Sequence, residues 1–213
     1  MTSISVTAAS NGHRAPTHLR TAVWPGERPP VDRAAAERAA ADLLVALGAD
    51  LDTAGLRDTP RRMATAYAEL LTPEPFNLTT FPNDEGYDEL VVVREIPFQS
   101  LCMHHLLPFQ GVAHVAYLPD ERILGLSKLA RVVELFSRDL QLQERLTTQI
   151  AGWLQEQLEP KGVGVVLEAE HLCMSLRGVR KPGTRTVTSA LLGMVRDEAR
   201  TRQEFLSLVR QGA

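Results

Sequence analysis

Gly111-Val112-Ala113-His114-Val115-Ala116-Tyr117-Leu118 is the stretch on which the fold class turns. Val112, His114, Ala116 and Leu118 alternate with Ala113, Val115 and Tyr117, the two-residue period of a strand. Downstream the period changes. Leu129, Val132, Val133 and Phe136 recur at helical spacing within 127–140. Leu142, Leu146, Ile150, Trp153, Leu154 and Leu158 carry a second amphipathic helix over 141–158. Pro160, Gly162 and Gly164 end it, and 163–174 returns to a strand around Val165-Val166-Leu167. Upstream, Leu90-Val91-Val92-Val93 marks a strand over 88–96 by its β-branched run. A last strand is expected over 185–195. Gly178 and the turn Lys181-Pro182-Gly183 make 172–195 a hairpin. Two hairpins bracketing two consecutive helices predict an α+β fold: an antiparallel four-stranded sheet with two helices on one face. Such a sheet has two edges, and pairing through them predicts oligomers.

Farther out the pattern is helical. Residues 32–47 are rich in Ala, Leu and charge, with Asp32 as N-cap and Gly48 as stop. Asp58-Thr59-Pro60 starts a second helix, Asp58 capping and Pro60 in the first turn. Residues 72–87, rich in Pro, Asn, Asp and Gly, are expected to be a loop. At the end, 198–210 is a short helix with Phe205, Leu206 and Val209 inward. The first 31 residues lack an apolar period and include Pro25-Gly26-Glu27-Arg28-Pro29-Pro30, which predicts a disordered or loosely held tail. His13 and His18 fall in that tail, with no partner residues beside them. The expected organisation is therefore a tail at 1–31, an N-terminal helical segment at 32–75 and a domain carrying the chemistry at 76–213.

A hydrophobic content of 44%, a charged content of 23% and a net charge of -3 describe a soluble globular chain without a global basic field, so nucleic acid is not an expected partner. No apolar run reaches the length of a membrane span, and the N-terminus has no apolar signal region, so neither a membrane nor secretion is expected. The chain reads as cytoplasmic, where two cysteines are more often thiols or metal ligands than a disulfide.

Both cysteines stand close to histidines, in Cys102-Met103-His104-His105 and His171-Leu172-Cys173. Thiols and imidazoles at such spacing are zinc ligands, and a catalytic site needs three of them and one open position. Cys102 and His105 are three residues apart, which suits one turn of chain closing on an ion. On a strand, His171 and Cys173 would project to the same side. The competing reading is two buried core thiols, since free Cys is among the most buried residue types. The two remaining histidines, His104 and His171, can exchange protons near neutral pH or support the metal ligands. His114 reads as a structural residue of its strand.

Two basic clusters flank these segments. Ser127-Lys128-Leu129-Ala130-Arg131 opens a helix, where phosphate binds readily, and Arg177, Arg180, Lys181 and Arg185 follow Cys173. A solvated basic face is the alternative. Glu144, next to Gln143 at the start of a helix, could accept the paired N1–H and amine of guanine, although a helix-surface Glu is common without such a role.

Taken in order, these motifs resemble GTP cyclohydrolase I: Cys102-x-His104-His105-Leu106-Leu107-Pro108-Phe109, Gly125-Leu126-Ser127-Lys128-Leu129-Ala130-Arg131, Gln143-Glu144-Arg145, His171-x-Cys173-Met174 and Arg177-Gly178-Val179. The resemblance runs from about residue 35 to the end, and includes Asp58-Thr59-Pro60-x-Arg62 and Thr201-Arg202-x-Glu204-Phe205-Leu206. It implies a tunnelling fold (T-fold) assembled as a toroidal homodecamer with active sites between subunits. It also implies conversion of GTP and water to 7,8-dihydroneopterin triphosphate and formate, the entry step of tetrahydrofolate and pterin biosynthesis. By resemblance Cys102, His105 and Cys173 hold zinc, which activates water for attack on guanine C8. His171 protonates the purine ring nitrogen and His104 assists later proton transfers. Glu144 with Gln143 holds the guanine edge. Ser127, Lys128, Arg131 and Arg177 grip the triphosphate, with Arg62 reaching in from a neighbouring subunit. Met103 stands where many members carry Glu, and Thr65 where some carry Lys. A related enzyme acting on another purine or pterin, and a non-catalytic zinc protein, are the alternatives. Glu144 with the Ser-Lys-x-x-Arg cluster argues against the first, and the two spare histidines against the second.

Overall fold

A computed structural model describes residues 18–22 and 29–210 of the chain. Its first half runs β1 (His18–Ala22), α1 (Arg33–Ala46), α2 (Thr59–Leu70), β2 (Phe76–Pro82), β3 (Val91–Cys102), β4 (Pro108–Leu118) and β5 (Arg122–Leu124). The second half runs α3 (Ser127–Ser137), β6 (Leu140–Gln141), α4 (Gln143–Leu158), β7 (Gly162–His171), α5 (Leu172–Ser175), β8 (Arg185–Gly193), α6 (Met194–Asp197) and α7 (Ala199–Arg210).

The main sheet has the order β6-β3-β4-β7-β8. Its four long strands are antiparallel, and β6 adds a two-residue parallel contact to the end of β3 at Leu101 and Cys102. The expected α+β sheet is therefore present with one short strand more than foreseen. A second sheet, β1-β2-β5, was not foreseen. The stretch 72–87 was expected to be a loop, yet Phe76–Pro82 forms β2, which buries Phe76, Leu78 and Thr80 on alternate positions. Within the expected tail, His18–Ala22 pairs with β2 along its length. Residues 1–17, including His13, and 23–28 lie outside the described residues.

The core explains why the two helices share a face. Leu129, Val132, Val133 and Phe136 of α3 and Leu146, Ile150 and Leu154 of α4 pack in one cluster with Phe109, Ala113, Val115 and Tyr117 of β4 and Val163, Val165 and Leu167 of β7. Alternation sends Ala116 and Val166 to the opposite face, where they meet Val195 and Phe205. Gly164 permits this second layer: a Cβ there would stand 2.8 Å from the Phe205 ring. So α7 covers part of the face that α3 and α4 leave bare.

Local signals set the helix ends unevenly. Asp32 caps α1 by accepting the Ala35 N–H at 2.9 Å, and Gly48 leaves it at φ +88°. Asp58 makes no side-chain cap on α2, and Pro60 alone marks that start. In β3 the register shifts between Val93 and Ile96, where Glu95 takes φ +56°. The bulge turns the Glu95 N–H onto Nδ1 of His114 at 3.4 Å. His114 is 7% exposed, and burial lowers its pKa, against the opposing pull of Glu95 and Glu168.

Candidate metal centre

The site forms where β3 and β7 run out at the same end of the sheet. Leaving β3, the chain closes a tight turn. The Cys102 carbonyl accepts the N–H groups of His105 at 3.2 Å and Leu106 at 2.9 Å, while its own N–H donates to the Leu107 carbonyl. Leu106 takes φ +53°, and the Met103 N–H donates to the Gln141 carbonyl at 3.1 Å. The turn presents both imidazoles to the thiol, with Nδ1 of His104 and Nδ1 of His105 each 3.9 Å from Cys102 Sγ. The chain from Cys102 to Leu106 thus closes in a single tight turn. Met103 is 41% exposed.

From the other side the expectation needs correcting. Residues 163–174 do not form one strand, because β7 ends at His171 and Cys173 lies in the single helical turn α5. Strand alternation is therefore not what aligns His171 with Cys173. The turn swings the thiol inward, leaving Cys173 Sγ 4.0 Å from Cys102 Sγ. Two overlapping groups result, Cys102 with His104 and His105, and Cys102 with His171 and Cys173, each with ligand atoms within 4.8 Å of one another. Cys102 is common to both. Burial raises the Cys173 thiol pKa, and the neighbouring Cys102 adds to this, while Arg177 draws it back down.

These spacings fit zinc. Tetrahedral bonds of ordinary length put two sulfurs about 3.8 Å apart and a sulfur and an imidazole nitrogen about 3.6 Å apart. The two edges that meet at Cys102, 4.0 Å to Cys173 and 3.9 Å to His105, are within a few tenths of an ångström of these lengths, whereas His105 and Cys173 fall in separate groups and would have to move closer to share an ion. Soft thiolates with imidazole are also zinc's preferred donors.

His171 is held on two sides. Its ring stacks on Phe109, centroids 4.6 Å apart, and Nε2 lies 2.8 Å from Gln143 Oε1. Burial lowers its pKa, and Glu144 opposes the shift. Gln143 is 1% exposed, and its Nε2 contacts the Leu167 carbonyl at 3.2 Å, the Thr186 carbonyl at 2.9 Å and Thr188 Oγ1 at 3.1 Å. Sequence reasoning paired Gln143 with Glu144 as neighbours, but the first turn of α4 sends them apart: Glu144 is exposed and Gln143 is buried. It missed Phe109, which meets His171 only through strand register, and Thr188, which meets Gln143 only through the packing of α4 on β8.

Of the anion-binding candidates, Arg177 stands close enough to draw down the Cys173 pKa against burial, whereas α3 turns its C-terminal end, not Ser127 and Lys128, toward β6 and Cys102. Ser127 and Lys128 open α3, with the Lys128 ammonium 6.0 Å over the Phe76 ring. Arg131 pairs with Glu134 at 3.4 Å. Arg177 follows α5 on a segment pinned by Glu170, whose Oε1 accepts from Ser175 Oγ at 2.6 Å and from the Gly183 N–H at 2.9 Å. Those bonds, Ser175 first, lower the Glu170 pKa. Arg62 donates to the Gly55 carbonyl and Thr59 Oγ1 near the start of its own helix, and Thr65 donates to the Arg61 carbonyl. No hydrogen bond or ion pair among the described residues joins Arg62 to the Cys/His cluster.

The sequence profile of the GTP cyclohydrolase I family matches residues 36–210. GTP cyclohydrolase 1 of Streptomyces avermitilis is 55% identical over 185 residues, covering 84% of this chain and 90% of that protein. GTP cyclohydrolase 1 of Aquifex aeolicus is 51% identical over 180 residues, covering 84% and 98%. The Streptococcus agalactiae protein of the same name is 49% identical over 180 residues, covering 83% and 96%.

Proposed function

The chain belongs to the GTP cyclohydrolase I family, and from that membership we propose how its own residues divide the work. The reaction opens the guanine imidazole ring of GTP by hydrolysis, releases C8 as formate and yields 7,8-dihydroneopterin triphosphate for tetrahydrofolate and pterin synthesis. The observation that carries the site assignment is the approach of two thiols, 4.0 Å apart, with imidazole nitrogens 3.9 Å from Cys102.

Cys102, His105 and Cys173 would hold zinc. Both His104 and His105 reach Cys102 equally well, and the motif resemblance selects His105 as the ligand. When bound, zinc supplies Lewis acidity that brings the pKa of a water toward neutrality. Around it, His171 delivers a proton to the purine ring nitrogen that leaves C8. His104, between the two ligands in sequence, serves the later transfers that open the ribose. Glu144, exposed at the start of α4, accepts the guanine N1–H and amine together. Ser127, Lys128, Arg131 and Arg177 bind the triphosphate, and Arg62 would reach the site of a neighbouring subunit.

We extend the reading to assembly and place. The outer edges of β3 and β8 support closure of a T-fold ring, a toroidal decamer of two pentamers. Residues 32–75 form the helical segment and 76–213 the catalytic domain in this scheme. No described helix is long and apolar enough to cross a membrane, and two free thiols suit the cytoplasm. The test is direct. Zinc-loaded protein incubated with GTP should release formate and give the fluorescence of an oxidised pterin, and an assembled, zinc-replete sample that yields neither overturns the reading.

A further inference from the structure

We propose that Gln143 is a positioning residue that fixes His171 as its Nε2–H tautomer, so that proton exchange with substrate runs through Nδ1. The inference rests on His171 being the proton donor of the reaction proposed above.

The argument is one of hydrogen-bond polarity. A Gln amide can be rotated by half a turn without much change in shape, so its oxygen must be located from its partners. Here two partners are backbone carbonyls, those of Leu167 and Thr186, and a carbonyl can only accept. The amide end facing them must therefore be the NH₂. The third partner agrees. Thr147 Oγ1 lies 2.6 Å from the Gln143 carbonyl, which takes its proton, and 2.7 Å from Thr188 Oγ1. Thr188 must then donate to Thr147, leaving its own lone pair to face the Gln143 amide at 3.1 Å. With the NH₂ end so occupied, Oε1 faces Nε2 of His171 at 2.8 Å.

An amide oxygen only accepts, so Nε2 must carry hydrogen. The other tautomer would set two lone pairs against each other at that distance. Burial makes the requirement strict, because Gln143 is 1% exposed and a polar atom left unmatched there has no water to turn to. The bond also survives turnover. In the imidazolium both nitrogens carry protons. Donation breaks the Nδ1–H bond, makes a new N–H bond on the purine nitrogen and leaves a neutral ring that still has Nε2–H. Gln143 Oε1 thus accepts before and after the transfer, and the ring need not turn. Phe109 beneath the imidazole resists such a turn as well. The arrangement withdraws Gln143 from guanine recognition, since both ends of its amide are engaged inside the protein.

Two measurements decide the matter. Solid-state NMR of the zinc-loaded wild-type enzyme with ¹⁵N-labelled histidine, His171 being assigned by its loss in His171→Ala, should show a protonated Nε2 and an unprotonated Nδ1 in the neutral ring. Nδ1–H in the wild type overturns the proposal, and this reading requires no Gln143 variant to fold. In kinetics, Gln143→Met should lower kcat about 10- to 100-fold, part of what a positioned acid contributes. KM for GTP should stay within about twofold, as expected when only the chemical step is impaired. An unchanged kcat with a raised KM would return Gln143 to substrate binding and overturn the proposal. If the wild type releases no formate, the functional reading fails, and the NMR result still decides the tautomer.

Discussion

The rings of Phe109 and His171 are parallel to within 1°, with centroids 4.6 Å apart. The two residues are direct cross-strand partners in the pairing of β4 with β7, so sheet register creates the stack. Phe109→Leu keeps an apolar residue at this buried position but removes the flat surface. An aromatic pair contributes about 0.5–1.5 kcal/mol beyond its buried area. The expected loss in kcat is therefore about 2- to 10-fold, with zinc content unchanged. Steady-state formate release measures it, and a wild-type kcat would show that the stack does not serve the imidazole.

Cys173→Ser should abolish both zinc retention and formate release. Cys102→Ser should be at least as severe, because Cys102 belongs to both ligand groups. Elemental analysis after dialysis reads the metal. His171→Ala should retain zinc while losing turnover, and metal loss there would mean that the ligand and proton-donor roles have been exchanged. Chelation of the wild type should stop formate release, and added zinc should restore it.

Glu170 holds the segment bearing Arg177 by accepting from Ser175 and Gly183. Glu170→Ala should loosen that segment and raise KM for GTP about 5- to 10-fold with kcat nearly kept, as when uniform binding is lost. Titration of initial rates against GTP is the measurement. A fall in kcat alone would place Glu170 elsewhere in the reaction.

His114 gives the fold an acid-sensitive point. Its folded pKa lies below the ordinary histidine value of 6.5 because burial disfavours the imidazolium. The neutral ring also accepts the Glu95 N–H. A depressed pKa contributes stability that is present above the unfolded value and is lost as pH falls through the folded one. Urea midpoints should fall more steeply from pH 7 to 5 in the wild type than in His114→Gln. Parallel slopes would sink this assignment.

Gly164→Ala should destabilise the chain by about 1–3 kcal/mol, the usual cost of overpacking. The new Cβ would stand 2.8 Å from the Phe205 ring and push α7 off the sheet. Denaturant melts followed by circular dichroism read the change, and an unshifted midpoint would mean that Phe205 has room to move.

What could be read from sequence was what depends on period and close spacing. The alternation through Val112–Leu118 and the helical runs around Leu129 and Ile150 correspond to β4, α3 and α4, since burial on one face writes its period into the chain. The turn at Cys102–His105 was legible for the same reason, because it is a local closure. β2 was hidden: Phe76, Leu78 and Thr80 alternate, but Pro73, Pro75, Pro82 and Asn83 frame them as a loop. Cys173 was placed near its partners for the wrong local reason, because nothing in His171-Leu172-Cys173 announces that β7 gives way to a helical turn. Phe109 under His171 is a fact of register between distant strands, and Thr188 beside Gln143 is a fact of how α4 packs on β8, and residue spacing encodes neither.

The main sheet ends on one side at β8, and on the other at β3, where β6 reaches only Leu101 and Cys102. Most of both long borders therefore lacks a strand partner within the described chain. For a protein built this way, dilution acts like a denaturant. Its melting temperature should rise with protomer concentration, because mass action favours whatever covers those borders. A single folding free energy would not characterise it, and the amount of chain a cell makes would itself set how durable each copy is.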